Sequence, residues 1–361
     1  MRRLWALGAV LVLVLVAPVS PAEARPRQDA GPIAFVSDLA TTSADAVVDE
    51  IYFLDPQTRH IDRVTYDLPG VERWPTVSPD GRSLAWVRWG IDADGGYRPD
   101  LSEIFRCDLR SRGGDWSCRH PRRVVGPVLE NAISWTPDSR SLLYSEPLNA
   151  EFDADIYAVD VRSHRTRNLT GEAVLDGALV QNSQPTVSPD GRYVVYSRGS
   201  TAGSTGADLY RRKIDGSDPV RLTAAPANDN AADYSPDGTR LVFHSNRDGD
   251  ADIYSMAAAV EGPANPAVNL TNDLRSGDGT MPAQERAPSF SPDGRQIAFW
   301  WFVDLASGFP PGFTDGEIYR MRADGSGVRN LTDNNPTDPA ALTVGDIQPD
   351  WGPTLPGARH R

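Results

Sequence analysis

One four-residue string recurs along the chain and restricts what it can fold into. Ser78-Pro79-Asp80-Gly81 returns as Thr136-Pro-Asp-Ser139, Ser188-Pro-Asp-Gly191, Ser235-Pro-Asp-Gly238 and Ser291-Pro-Asp-Gly294, at spacings of 58, 52, 47 and 56 residues. Self-similarity at such a period marks a repeat architecture. Pro presets φ, Asp bonds its own backbone and Gly accepts φ > 0, so each string is a tight turn. A short apolar run follows each one: Leu84-Ala-Trp86, Leu142-Leu-Tyr144, Val194-Val-Tyr196, Leu241-Val-Phe243 and Ile297-Ala-Phe299. Then comes an acid with an apolar-aromatic pair: Glu103-Ile-Phe105, Asp155-Ile-Tyr157, Asp208-Leu-Tyr210, Asp252-Ile-Tyr254 and Glu317-Ile-Tyr319. Each unit closes on Val124-Val125, Leu169-Thr170, Leu222-Thr223, Leu270-Thr271 or Leu331-Thr332. Four short strands per unit are predicted, one before the turn, one after it, the acid-Ile-Tyr strand and the Leu-Thr strand. Units of this kind are blades of a β-propeller, an all-β fold.

The two ends of the chain complement each other. The first repeat begins at Ile33-Ala-Phe35, continues through Glu50-Ile-Tyr52 and Val64-Thr65, and lacks a turn string of its own. Near the C-terminus, Pro349-Asp-Trp-Gly-Pro353 matches Pro75-Thr-Val-Ser-Pro79, the strand missing at the start. The expectation is six blades, closed by pairing of the N- and C-terminal strands in one blade, which leaves no open inner edge. The predicted organisation is a leader over 1–24, a short lead over 25–31, the propeller over 32–353 and a tail over 354–361.

These turns and acid-Ile-Tyr strands resemble the TolB-type propeller repeat, a WD-like repeat, over Ile33 to Pro353. The resemblance implies the fold, and a periplasmic or extracellular place of action. TolB carries an α/β domain ahead of its propeller and works with a peptidoglycan-associated lipoprotein. Here only Arg25 to Gly31 precede the first predicted strand, so no counterpart of that domain is expected.

Met-Arg-Arg, the apolar run Leu4 to Ala17 and the exit Ala22-Glu23-Ala24 read as a secretory signal peptide. Nothing later approaches a membrane span, so the exported protein is expected to act in solution as a monomer. An exported compartment permits Cys107 and Cys118 to pair across a hairpin turn. With 36 basic against 49 acidic residues the net charge is −13, which disfavours nucleic acid as a partner.

Catalysis is not expected. The five histidines fall at unrelated repeat positions, no His-Glu-x-x-His or Gly-x-Ser-x-Gly string occurs, and the recurring acids read as architecture. What differs between units carries function instead. The loops after the second and fourth strands of each unit are long and dissimilar, and strand alternation sends them to one end of the propeller. Trp74, Trp89 and Tyr97 lie in or beside them as candidate aromatic anchors, with Asp92, Asp94, Asp248 and Asp250 as an acidic surround. Asp248, Asp250 and Asp252 also have spacing compatible with Ca²⁺, without completing an EF-hand loop; no other cofactor is expected. The reading is a binding propeller for an envelope protein or cell-wall polymer; the alternative is a carbohydrate-active or sugar-binding propeller, which a convergence of carboxylates on the central channel would favour.

Overall fold

The computed structural model describes residues 31–37, 49–66, 71–91, 97–112, 115–129, 131–148, 153–171, 174–175, 178–200, 206–259, 266–272, 283–303, 316–332 and 347–353. The leader, most of the lead and the tail lie outside them. Regular structure within them is entirely β, and no helix is long and apolar enough to cross a membrane. The chain opens with β1 (Ile33–Ser37), β2 (Glu50–Leu54) and β3 (Ile61–Arg63). Next come β4 (Val71–Val77), β5 (Ser83–Ile91), β6 (Tyr97–Arg112) and β7 (Asp115–Val125), then β8 (Ser134–Trp135), β9 (Ser141–Pro147), β10 (Ala154–Asp160) and β11 (Thr166–Asn168). After the two-residue β12 (Val174–Leu175) run β13 (Ala178–Val187), β14 (Tyr193–Ser200), β15 (Ala207–Lys213) and β16 (Val220–Arg221). The remainder are β17 (Asp229–Tyr234), β18 (Arg240–Ser245), β19 (Asp252–Ala257), β20 (Val268–Asn269), β21 (Ala283–Phe290), β22 (Gln296–Val303), β23 (Glu317–Arg322), β24 (Arg329–Asn330) and β25 (Ile347–Trp351).

Sequential strands pair antiparallel in sets of four: β4 to β7, β8 to β11, β13 to β16, β17 to β20 and β21 to β24. A single parallel bridge, Ala154 to Gln181, joins the second and third of these sets. The remaining sheet has the order β25-β1-β2-β3, in which Ile33 sits opposite Trp351. Neighbouring sheets touch through their first strands: β4 against β25, β8 against β4, β13 against β8, β17 against β13, β21 against β17, and β25 against β21.

The repeated turns are built as their residues dictate. The hydroxyl of Ser78, Thr136, Ser188, Ser235 or Ser291 donates to the Asp two residues on, at 2.6–2.7 Å. The same carboxylate oxygen accepts the N–H two residues further along, from Arg82, Arg140, Arg192, Thr239 or Arg295. These donors hold the Asp237 carboxyl down at about 2. Gly81, Gly191, Gly238 and Gly294 have φ between 67° and 71°; Ser139 takes the same left-handed conformation at φ 58° and its hydroxyl accepts the Asp80 N–H of the preceding sheet.

The recurring aromatic positions explain the core. Phe35 and Tyr52, Trp86 and Phe105, Tyr144 and Tyr157, Tyr196 and Tyr210, Phe243 and Tyr254, and Phe299 and Tyr319 are directly opposed across the strand pairs. Their centroids lie 5.8–6.1 Å apart, in the range of favourable aromatic contact.

The fourth strand differs from its prediction. In most sheets it ends just before the Val-Thr or Leu-Thr pair, as in β3, β11, β16, β20 and β24. Leu169 N–H still donates to Ile156 O at 2.8 Å, but the Leu side chain turns down into the core and the Thr hydroxyl is used otherwise, as described below. β6 and β7 form the longest hairpin, 16 and 11 residues. Cys107 and Cys118 are joined by a disulfide across it. The hairpin lies along β3: Cys118 N–H donates to Val64 O at 3.1 Å and Trp116 packs on Phe53.

Candidate functional site

At the sheet ends from which the long connections leave, a polar seam repeats between neighbouring sheets. The Thr65 hydroxyl accepts the Ile51 N–H and donates toward Glu50 at 3.2 Å and toward Glu72 of the next sheet at 2.6 Å. Thr170 does the same with the Ile156 N–H and Asp155, which Asn182 of the next sheet approaches at 3.3 Å. Thr223 with Asp208, Thr271 with Asp252 and Thr332 with Glu317 repeat the motif. The recurring acids thus serve the backbone one bond removed, with the Thr hydroxyl accepting the N–H and donating its own hydrogen bond to the carboxylate. Arg63 on Glu50, Arg221 on Asp208 and Arg247 on Asp229 supply cations at some seams.

Where Glu72 faces Glu50 and Glu285 faces Asp252, burial decides the protonation state of the carboxyl from the next sheet. Glu72, 2 % exposed, is pushed up to about 8 by burial, with Glu50 adding to the rise. Glu285, 1 % exposed, is pushed up to about 9 by burial and by the negative charges of Asp252 and Asp250. Each is a carboxylic acid at neutral pH, able to donate a hydrogen bond to the acid across the seam.

The first strands line the centre and are bulged there. The ladder shifts register between Arg73 and Thr76, Ser183 and Thr186, Asn230 and Asp233, and Arg286 and Ser289. The bulge residues Trp74, Gln184, Ala231 and Ala287, and Gln348 on β25, have φ of 48–57°. Pro follows four of the five, at the place where a bulge leaves the ladder without a bond for its N–H. These residues surround a cavity of about 100 Å³, which has room for several waters and is below the usual size of a small-molecule site. Asp233 and Asp350 are on its wall, and burial raises their carboxyls to about 7 and about 6. Both are engaged in structure: Asp233 accepts the Phe290 N–H at 2.8 Å and Asp350 the Val77 N–H at 3.0 Å, each across a sheet boundary.

Of the candidate anchors, the structure describes the side chains of Trp74 and Trp89. Trp74 and Trp89 are half-buried and pack against the same core, with Val87, Trp135 and Tyr144 among its members. Trp74 also reaches the central cavity, and the Arg73 guanidinium covers the Trp89 ring at 4.7 Å. Asp92 and Asp94 lie outside the described residues, as does the side chain of Tyr97. Asp248 accepts from the Tyr254 hydroxyl and from Asn269, while Asp252 accepts from Asn269 and Thr271. Among the described residues, the one set of three potential ligands with atoms mutually within 4.8 Å is His60, Asp62 and Asp115, so Asp248, Asp250 and Asp252 do not form such a set. That trio arises because the β6–β7 hairpin leans on β3. No spacing in the sequence announces it.

Residues 134–269 match the family model described as the TolB beta propeller domain. An uncharacterized protein of Agrobacterium fabrum is 31% identical over 302 residues, spanning 72% of this chain and 94% of that protein. Dipeptidyl-peptidase 5 of Porphyromonas gingivalis is 25% identical over 124 residues, only 16% of its own length. Among solved structures, TolB from Acinetobacter baumannii superposes with a TM-score of 0.64 at 19% identity, over 91% of this chain and 68% of that one. A putative TolB from Agrobacterium tumefaciens gives 0.57 at 20% identity, over 84% of this chain and 88% of that one.

Proposed function

The chain belongs to the TolB-like β-propeller family, and we propose that it is an exported, non-catalytic binding propeller whose long-loop end takes a protein partner of the cell envelope. In this reading the four-stranded units are six blades of a ring completed by the β1–β25 pair. Exported action is supported by the charged, apolar and small-residue pattern of residues 1–24, and by the disulfide, which an oxidising compartment sustains.

The observation that carries binding over catalysis is the channel. A glycan-processing reading asks for carboxylates converging on it with free oxygens and room for a sugar. Among the described residues the carboxyls on the cavity wall are Asp233 and Asp350, each of which holds a backbone N–H of the next sheet, and the cavity between the bulges is small. A rigid ring carrying long, dissimilar connections at one end is instead suited to protein recognition. The test is affinity capture from envelope extract with three baits: the wild type, a variant with residues 304–315 replaced by a short Gly-Ser linker, and the tight-turn variant Arg82→Glu. One protein retained by the wild type and Arg82→Glu but lost from the loop variant supports the reading. Equal retention by all three, or turnover of envelope glycan by the wild type, refutes it.

A further inference from the structure

A second cavity lies at the opposite end of the sheets, between the turns Ser188 to Gly191 and Ser235 to Gly238. Its volume is about 400 Å³, within the range of small-molecule sites. The Pro189 and Pro236 rings, Ala258 and Ala259 provide apolar wall, and Tyr193, Tyr234 and Arg211 provide polar groups. The corresponding positions elsewhere carry different residues: Ser83, Trp135 and Arg106 at one boundary, Ser141, Val187 and Ala158 at another. The Tyr-Tyr-Arg combination is peculiar to this boundary and is not required by the shared repeat.

Tyr234 is the informative residue. It is 7 % exposed, its ring packs with Leu241 and Met256, and its hydroxyl has no hydrogen-bond partner among the described residues. The groups that this hydroxyl feels, Arg211, Asp190 and Tyr193, all line the same cavity, which places it on the cavity wall. The hydroxyl is not closed off in the core but opens into the cleft, where a bound ligand can take the place of water as its partner. Burial keeps the phenol above its ordinary range, so it stays a neutral donor.

Charge and shape narrow the ligand. Asp190 and Asp237 are held ionised by their own turns, while Arg192 and Arg211 bring two cations, both set over the Tyr193 ring at 5.7 and 4.8 Å. The cleft thus has balanced charge and selects neither a cation nor an anion. It presents donors and acceptors around apolar walls from two Pro rings. A compact neutral ring with a hydroxylated perimeter matches this arrangement. We propose that the cleft between the Ser188–Gly191 and Ser235–Gly238 turns is a binding site for one neutral pyranose unit of a glycan, with the Tyr234 hydroxyl as a ligand contact.

The site is remote from the long-loop end, so its test is separate from the partner capture above. Glucose, galactose, mannose and N-acetylglucosamine at millimolar concentration are the probes, followed by saturation-transfer NMR, with methylammonium and acetate as charged controls. At least one sugar is expected to bind. Tyr234→Phe, which keeps the packed ring and removes only the hydroxyl, is expected to weaken it about fivefold, and Ala259→Tyr, which fills the exposed rim, to abolish it. Unchanged near-ultraviolet circular dichroism in both variants separates loss of binding from loss of fold. Binding by none of the sugars, binding indifferent to both substitutions, or displacement by methylammonium or acetate would overturn the proposal.

Discussion

Replacing Glu285 with Gln is expected to change how stability depends on pH. In the folded protein the Glu285 carboxyl titrates near 9, against 4.5 for the ordinary group, because it is buried and faces Asp252 and Asp250. A carboxyl raised by folding contributes stability that is fully present below about pH 4.5 and is lost as pH rises through about 9. Between those limits unfolding releases its proton, so stability falls by about 1.4 kcal/mol per pH unit from this group, or about 3 kcal/mol between pH 6 and 8. Gln cannot titrate, yet its amide still donates across the seam. The difference in unfolding free energy between wild type and Glu285→Gln should therefore move steadily in favour of the variant as pH rises. Glu72 adds a parallel slope, ending near 8, in both proteins and cancels from the difference. Urea titrations at several pH values, followed by fluorescence and circular dichroism together, measure it. A wild-type-minus-variant difference that stays flat between pH 6 and 8 would refute the assignment of a protonated Glu285 at the seam.

Further outcomes follow from named contacts. Loss of the Cys107–Cys118 disulfide, whose cysteines are separated by 11 residues, should lower stability by about 3 kcal/mol on the loop-closure model, read as a fall in unfolding midpoint for Cys107→Ser/Cys118→Ser. Gly216→Ala places a Cβ 2.7 Å from Leu169 O at φ 93° and should destabilise by roughly 3 kcal/mol, whereas Gly171→Ala, at φ 56° with nothing within 4 Å, should lose about 1 kcal/mol; equal effects would show that the close approach is not maintained. Deleting residues 347–361 should give aggregated protein by size-exclusion chromatography, since β1 loses its partner, while deleting 354–361 should leave the melting temperature unchanged.

The parts of this fold that repeat identically are readable from the sequence. Each Ser-Pro-Asp-Gly turn, each acid-Ile-Tyr strand and each opposed aromatic pair reflects local chemistry stated five or six times over. The fourth strand is displaced because the Leu-Thr pair, though regular, acts through its side chains: Leu fills core and Thr bridges a backbone N–H to an acid. The seam partners Glu72, Asn182, Asp229 and Glu285 are hidden because they differ in type and meet their acids only across a sheet boundary. The bulges carry a partial signal in the recurring Pro75, Pro185, Pro288 and Pro349, but their left-handed residues are of three types, Trp74, Gln184 and Gln348, and Ala231 and Ala287, none of which favours that conformation. Tyr234 looks like any aromatic position closing a first strand; only the cavity beside it distinguishes it.

The pairing of Ile33 with Trp351 also has a bearing on time. Most of the sheets are meanders whose strands follow one another closely in the chain, so each hairpin can form as soon as its own residues are available. The sheet begun by β1 is the exception, since its first strand, β25, is made more than three hundred residues later and its loop closure is correspondingly slow. It is the first to start and the last to be finished. A chain interrupted before residue 347 keeps the N–H and C=O groups of β1 open for whatever strand reaches them first, so folding quality depends most on the interval between the arrival of Ile33 and that of Trp351.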